Sequence, residues 1–287
     1  MATSGNWASG GAGWVVHEAI FDRVFAPLTA AILDSADLAA AQSMLDVGCG
    51  SGTLLAAAVE RGVRATGVDI SATMAEAARR RVPQSTVLLA DAESADLSFG
   101  GAGPYERVLS RFGVMFFADP VAAFANLRSA TASGGRLAFG CWRSLAENPS
   151  FTEGTSLLTA QLPDPPIQLD PAAPSSTSPH FTAPGPMAFA APDRLRTVLT
   201  DAGWREVVIT PFDFTLDYGE GAAAVEDRIA IILATSTGAR AERILRPALG
   251  DRGWAELVDR VREHVTAQLT YGRVQLPAAT WLVTATS

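Results

Sequence analysis

Lysine is absent from this 287-residue chain, so all 22 basic side chains are arginine. That absence removes whole classes of chemistry. Schiff-base aldolases and pyridoxal phosphate enzymes need an amine at the reacting carbon, and P-loop nucleotidases need one on the phosphates. The tyrosine and lysine pair of short-chain dehydrogenases is missing as well. Cysteine is nearly absent: Cys49 and Cys141 alone suggest no disulfide framework and fit small packing positions. Histidine is confined to His17, His180 and His264, with no C-x-x-C or H-x-x-H spacing, so no built-in metal site is expected. Cationic surface is scarce too, because the formal net charge is −8, and a nucleic-acid partner requires a basic face. No apolar run approaches the ~18 to 20 residues of a membrane span. The residues from Met1 to Gly5 lack the basic start of a signal peptide, so the expected location is the cytoplasm, away from membranes. With 48% hydrophobic and 18% charged residues the chain should be globular.

What is present is a glycine-rich turn. Residues 45–54 read LDVGCGSGTL, a short apolar run ending in Asp46 and followed by Gly48, Cys49, Gly50 and Gly52. Glycines let a backbone turn sharply and approach a ligand closely, and the next helix offers unpaired N–H groups to an anion. A dinucleotide turn of the form G-x-G-x-x-G would place its third glycine at Thr53, so that register fails. Two further acids follow at strand ends. Asp69 closes a β-like run from Arg64 to Ser71, 19 residues after Gly50, which suits a ribose diol. Asp91 closes the run that begins at Val87.

This D-x-G-x-G-x-G turn with its two later acids resembles motif I and the following strands of class I S-adenosylmethionine-dependent methyltransferases. The resemblance implies a Rossmann-like α/β fold with a seven-stranded mixed sheet, order 3-2-1-4-5-7-6, its last strand antiparallel. S-adenosylmethionine is the implied cofactor. Asp46 then faces its cationic end, Asp69 the ribose, and Asp91 with Ala92 the adenine edge, with Ile70 also against the cofactor. After the fourth strand, the segment from Leu109 to Pro120 resembles small-molecule enzymes grouped near the ubiquinone and menaquinone C-methyltransferases. The backbone at Ser110 and Arg111 would hold the methionine amino group there, Phe112 would flank the methyl, and Met115 is a candidate for the acceptor pocket. The asparagine-bearing pattern of true quinone methyltransferases is missing.

Strands are expected at 105–110, 135–142, 205–211 and 279–285, and helices at 120–131, ended by Gly134 and Gly135, and at 192–202. Three additions to one domain spanning 1–287 are expected. The first is an N-terminal cover, 1–40, whose glycine- and tryptophan-bearing lead-in from Asn6 to Trp14 resembles that of the same group, which implies that it folds over the cofactor with Trp14 and His17 near the site. It continues into a helix from Val15 to Ser35 with Val16, Ile20, Val24 and Leu28 on one face. The second, Pro163 to Pro192, holds 9 of the 17 prolines in 30 residues and must be irregular, either a linker or a lid. In the third, 221–272, Val225, Ile229 and Ile232 recur at helical spacing, as do Trp254, Leu257, Val258, Val261, Val265 and Leu269.

The expected reaction is in-line methyl transfer to a small apolar or aromatic metabolite by a monomer or homodimer. His17 is the first candidate for a base and His180 the second, while His264 lies beside the apolar helical stripe. A nicotinamide-dependent oxidoreductase and a S-adenosylmethionine-binding protein without turnover remain the alternatives.

Overall fold

A computed structural model of the chain describes residues 11–98, 103–163 and 184–287. Its centre is a seven-stranded sheet in the order β3-β2-β1-β4-β5-β7-β6. The strands are β1 Ser43–Val47, β2 Arg64–Asp69, β3 Thr86–Leu89, β4 Tyr105–Arg111, β5 Thr131–Trp142, β6 Arg205–Glu220 and β7 Arg273–Thr286. Strands β1 to β5 pair in parallel, whereas β7 runs antiparallel to both β5 and β6. β1 is buried at all five positions, which explains why it reads as continuous apolar sequence rather than as an alternation. Helices α1 Glu18–Val24, α2 Ala26–Ser35, α3 Thr53–Glu60, α4 Ala72–Arg81, α5 Pro120–Ser129, α6 Thr155–Thr159 and α7 Pro192–Asp201 surround the sheet. Parallel strands so connected put every β1–β4 carboxyl end on one edge, and the switch point lies between β1 and β4.

Three sequence expectations change. The helix expected from Val15 to Ser35 is broken at His17 and again at Phe25, the residue shared by α1 and α2. Pro27 lies in the first turn of α2 and has no N–H to continue an α1 ladder. Val24 and Leu28 are buried, but Val16, before the first break, is 74% exposed. Second, α5 ends at Ser129, and Gly134 and Gly135 lie within β5 instead of terminating the helix. The β4–β5 register advances two residues on one strand and five on the other between Tyr105↔Thr131 and Arg107↔Arg136. Gly134, at φ +72°, supplies the left-handed residue that this bulge needs. Third, β6 and β7 extend far beyond 205–211 and 279–285 as a paired ribbon. Pro211 is tolerated because β6 is the sheet edge.

The ribbon carries α8 Gly221–Ala234 and α9 Ser236–Ala267, which bends at Gly250 (φ +71°). The expected helical stripes are mostly buried, Val225, Ile229 and Ile232 on α8 and Trp254, Leu257, Val261 and Val265 on α9, while Val258 and Leu269, the latter beyond the end of α9, are only partly covered. Arg228 of α8 is 3% exposed and donates to the carbonyls of Ser150 (2.7 Å) and Glu153 (2.9 Å), fixing the loop after β5 under the helical pair. Of the proline-rich stretch, only Pro163 and residues 184–192 fall in the described part. Phe189 is 1% exposed, the Gly185 N–H donates to the Met115 carbonyl (3.0 Å), and Trp281 Nε1 donates to the Ala190 carbonyl (3.0 Å). This end of the stretch is therefore docked beside the turn after β4. His180 and Phe181 lie outside the described residues.

Candidate functional site

The turn after β1 is shaped by left-handed backbone at Gly48 (φ +66°), Gly50 (φ +54°) and Gly52 (φ +90°). These are the motif glycines, and each adopts a conformation that an L side chain resists. The Gly48 and Cys49 N–H groups both donate to the Val68 carbonyl, at 2.9 and 3.1 Å, hooking the turn onto β2. Ser110 ties it to β4, because its buried hydroxyl donates to the Val47 carbonyl (2.7 Å) and accepts from Gly113 N–H (3.1 Å). The two backbones approach so closely that a Cβ on Gly48 would lie 2.7 Å from Gly113 Cα. A Cβ on Gly50, by contrast, would meet nothing within 4 Å.

Asp69 braces the turn from β2. Its Oδ2 accepts from Gly50 N–H (2.9 Å) and its Oδ1 from Ser71 N–H (2.8 Å). Burial raises its pKa above the usual carboxylate value, and these amide bonds offset only part of the rise. Asp46 is buried more deeply, at 2% exposure. Desolvation pushes its carboxyl up to about 8, with Asp69 adding to the rise and Arg111 opposing it. Among the described residues, the buried side-chain polar atoms without a hydrogen-bond partner are Asp46 Oδ1 and Ser51 Oγ. Asp46 stands near the end of β1 and Ser51 in the turn that follows. Unpaired buried polar atoms are costly and uncommon in folded proteins, so a pair of them at a single strand end calls for a polar ligand group. Cys49 packs against Gly67, and burial beside Asp46 and Asp69 raises its thiol far above the normal range, which makes it a packing residue.

At the next strand end, Asp91 accepts from Glu93 N–H (2.9 Å), and the buried Ala92 accepts at its carbonyl from Asn126 Nδ2 (3.0 Å). Ile70 and Leu89 are 42% and 51% exposed at the ends of β2 and β3, apolar side chains beside the two acids. The N-terminal lead-in reaches the same edge: a Cβ on Gly11 would lie 2.9 Å from Ser71 Oγ. Trp14 stacks on Phe21 with centroids 3.7 Å apart and planes 4° apart. An aromatic series continues through Phe25 to Phe112 (5.0 Å, edge-on) and from Phe112 to Trp142 (4.5 Å, stacked). Phe112 holds φ +70°, a strained conformation for an aromatic residue, directly after β4. Met115 lies in a short 3₁₀ turn over Gly113–Phe116 and is 2% exposed, so it is packed as a core residue.

The structure thus brings Asp46, Gly48, Cys49, Gly50, Gly52, Asp69, Ser110 and Arg111 together around the first strand end. Ile70, Asp91 and Ala92 border them. His17 is placed differently. It lines a groove of about 550 Å³ between the N-terminal helix and α8 and α9, with Glu226, Ile229, Leu233 and Arg262 across from it. No lining residue of that groove comes from the glycine turn or the end of β4. His264 is engaged with Glu153 Oε2 at 3.0 Å. Sequence reasoning passed over Ser51, Trp142 and Asp22. Ser51 stands inside the motif and could have been found there; the other two are joined to the site only by the fold.

A parallel sheet with this order, a three-glycine turn after β1 and acids closing β1, β2 and the loop after β3 define a Rossmann-like methyltransferase architecture. Comparison with known proteins agrees. Residues 45–139 match the family described as Methyltransferase domain. The chain is 30% identical over 203 residues to nocamycin O-methyltransferase from Saccharothrix syringae, covering 67% of this chain and 69% of that one. It is 29% identical over 147 residues to aklanonic acid methyltransferase DauC from Streptomyces sp. (strain C5), covering 47% and 62%. The crystal structure of YcgJ from Bacillus subtilis superposes with a TM-score of 0.53 at 16% identity, over 90% of this chain and 97% of that one, which concerns the fold alone. The chain belongs to the class I S-adenosylmethionine-dependent methyltransferase family. It spans from about a third to about two thirds of the length of the curated relatives it matches. The nicotinamide alternative is not favoured by these similarities. Among the described residues no helix is long and apolar enough to cross a membrane.

Proposed function

We propose that this protein binds S-adenosylmethionine in the turn after β1 and transfers its methyl group to a small, apolar or aromatic metabolite. The observation that carries the reading is the pair of unpartnered buried atoms, Asp46 Oδ1 near the end of β1 and Ser51 Oγ in the turn after it, where the backbone leaves open space beside Gly50. The cofactor supplies an already activated sulfonium methyl. Asp46 is assigned to its ammonium group. Asp69 is assigned to the ribose, since each carboxylate oxygen that accepts one amide retains a second lone pair for a hydroxyl. Asp91 and the backbone at Ala92 are assigned to the adenine edge, with Ile70 and Leu89 against the ring. Trp14 belongs to the cover, and 1–40, 163–192 and 221–272 are read as additions to one methyltransferase domain.

Phe112 is assigned to the acceptor side, supported by its strained backbone and its stack on Trp142. Holding a nucleophile in line and excluding water can supply most of the acceleration, so no catalytic triad is required. His17 is retained as the base on the sequence reading alone, because the groove it lines shares no residue with the glycine turn or the end of β4. His264 is paired with Glu153.

Incubating the protein with methyl-labelled S-adenosylmethionine and a metabolite extract tests the reading. Label should pass to a small molecule, and His17→Ala should lower kcat about 100-fold with cofactor affinity kept. An unchanged kcat would remove His17 from the mechanism. No transfer to any extract component by a protein that binds the cofactor would favour a binding role without turnover.

A further inference from the structure

Arg111 is nearly buried, at 8% side-chain exposure, and two carboxylates act on it, Asp22 and then Asp46. It forms no bond with Asp46, whose Oδ1 is left unpartnered. Its guanidinium is turned the other way: Nη1 donates to Thr29 Oγ1 at 2.9 Å and Nη2 to Thr53 Oγ1 at 3.2 Å, with Asp22 Oδ1 3.7 Å away. Asp22 is the hub of that arrangement. Its Oδ1 accepts from the Thr53 hydroxyl (2.5 Å) and its Oδ2 from Arg81 (2.6 Å). It stands on α1 and so joins the N-terminal cover to the start of α3, the end of α4 and the end of β4.

We propose that Asp22 is a positioning residue that holds Arg111 away from Asp46 and thereby keeps the Asp46 carboxylate available to the cofactor's ammonium. The inference rests on the cofactor reading above. A guanidinium is a permanent cation with five donors, and a buried carboxylate without a partner is its natural destination. Asp22, with the hydroxyls of Thr29 and Thr53, competes for it. Without the charge on Asp22, the remaining carboxyl group acting on Arg111 is that of Asp46, and an arginine paired there would ionise it and exclude a second cation.

The test is isothermal titration of S-adenosylhomocysteine, which keeps the ammonium group, into four proteins shown to be folded by circular dichroism. Asp22→Asn should bind about tenfold more weakly than the wild type. Thr29→Val, which removes one anchor of Arg111 without touching α1, should weaken binding about threefold. Adding Arg111→Gln to Asp22→Asn removes the competing cation, so the double variant should bind at least fivefold tighter than Asp22→Asn alone. A purely structural role for Asp22 predicts no such rescue. A double variant as weak as Asp22→Asn, or an Asp22→Asn protein that binds like the wild type, would overturn the proposal. Should Asp22→Asn fail to fold, comparison of Thr29→Val with Thr29→Val/Arg111→Gln decides in the same way. A folded wild type with no affinity for S-adenosylhomocysteine defeats the cofactor reading and this proposal with it.

Discussion

A Gly50→Val protein should fold and fail to bind S-adenosylhomocysteine, whereas Gly48→Ala, two residues earlier in the same turn, should lose stability first. Both positions hold left-handed backbone, at φ +54° and +66°, and a side chain there costs about 1–2 kcal/mol. They differ in what the new side chain meets. At Gly50 the first added carbon has no protein atom within 4 Å, so the substitution fills space assigned to the ligand. Affinity should fall more than about 100-fold, or ~2.7 kcal/mol. At Gly48 the same carbon would lie 2.7 Å from Gly113 Cα, a backbone atom that cannot move aside without shifting the end of β4. Overpacking adds about 1–3 kcal/mol to the backbone strain. Thermal unfolding and calorimetric titration of the two variants separate the effects. Normal cofactor binding by Gly50→Val would remove the ligand from this turn.

Asp69→Ala should be the second most damaging change, and in a way the sequence did not foretell. From sequence, Asp69 reads as a ribose ligand and nothing more. In the structure both its oxygens also brace the turn, through Gly50 N–H and Ser71 N–H. A hydrogen bond to a charged group contributes about 1.5–3 kcal/mol, so Asp69→Ala should lower the unfolding midpoint as well as weakening cofactor binding about 100-fold. Asp69→Asn keeps one acceptor oxygen and should retain more stability while binding about tenfold more weakly. Equal affinity in folded Asp69→Asn and wild-type protein would show that the carboxylate serves only the turn.

These two residues also mark how far the sequence reaches. The acids at 46, 69 and 91 were legible because each depends on local spacing, a strand, a turn and a helix of ordinary length, whereas the strand order came from the family resemblance those acids carry. The glycine register was legible for the same reason, since φ > 0 at three alternating positions needs glycine. What escaped depends on contacts between distant segments. Asp22 reads as an exposed helical acid until α1 is folded against Thr53, Arg81 and Arg111. Trp142 joins Phe112 only through the pairing of β4 with β5. Gly134 and Gly135 are ambiguous in one dimension, because a helix stop and a strand bulge use the same residue. The lengths of β6 and β7 were hidden by the helices inserted between them, which leave even the nearest ribbon pair, Glu220 and Arg273, more than fifty positions apart.

The central claim is that the buried, unpartnered Asp46 receives the cofactor's ammonium, and titration of S-adenosylhomocysteine between pH 6 and pH 7.5 tests it most directly. In the ligand-free protein the Asp46 carboxyl is raised from 3.8 to about 8, so it is mostly protonated throughout this window. An ammonium bound beside it favours the ionised form, and binding should therefore release a proton. Affinity should rise with pH by up to about tenfold per unit, and the binding enthalpy should vary with the ionisation enthalpy of the buffer. The sign for folding is opposite. The unfolded chain gives up this proton near pH 3.8 while the folded protein retains it, so the Asp46 contribution to stability falls as pH rises toward 8. Asp46→Asn should bind weakly and without the pH slope. Tight binding that is independent of pH and buffer in the wild type, or an Asp46→Asn protein that binds equally well, would contradict the claim.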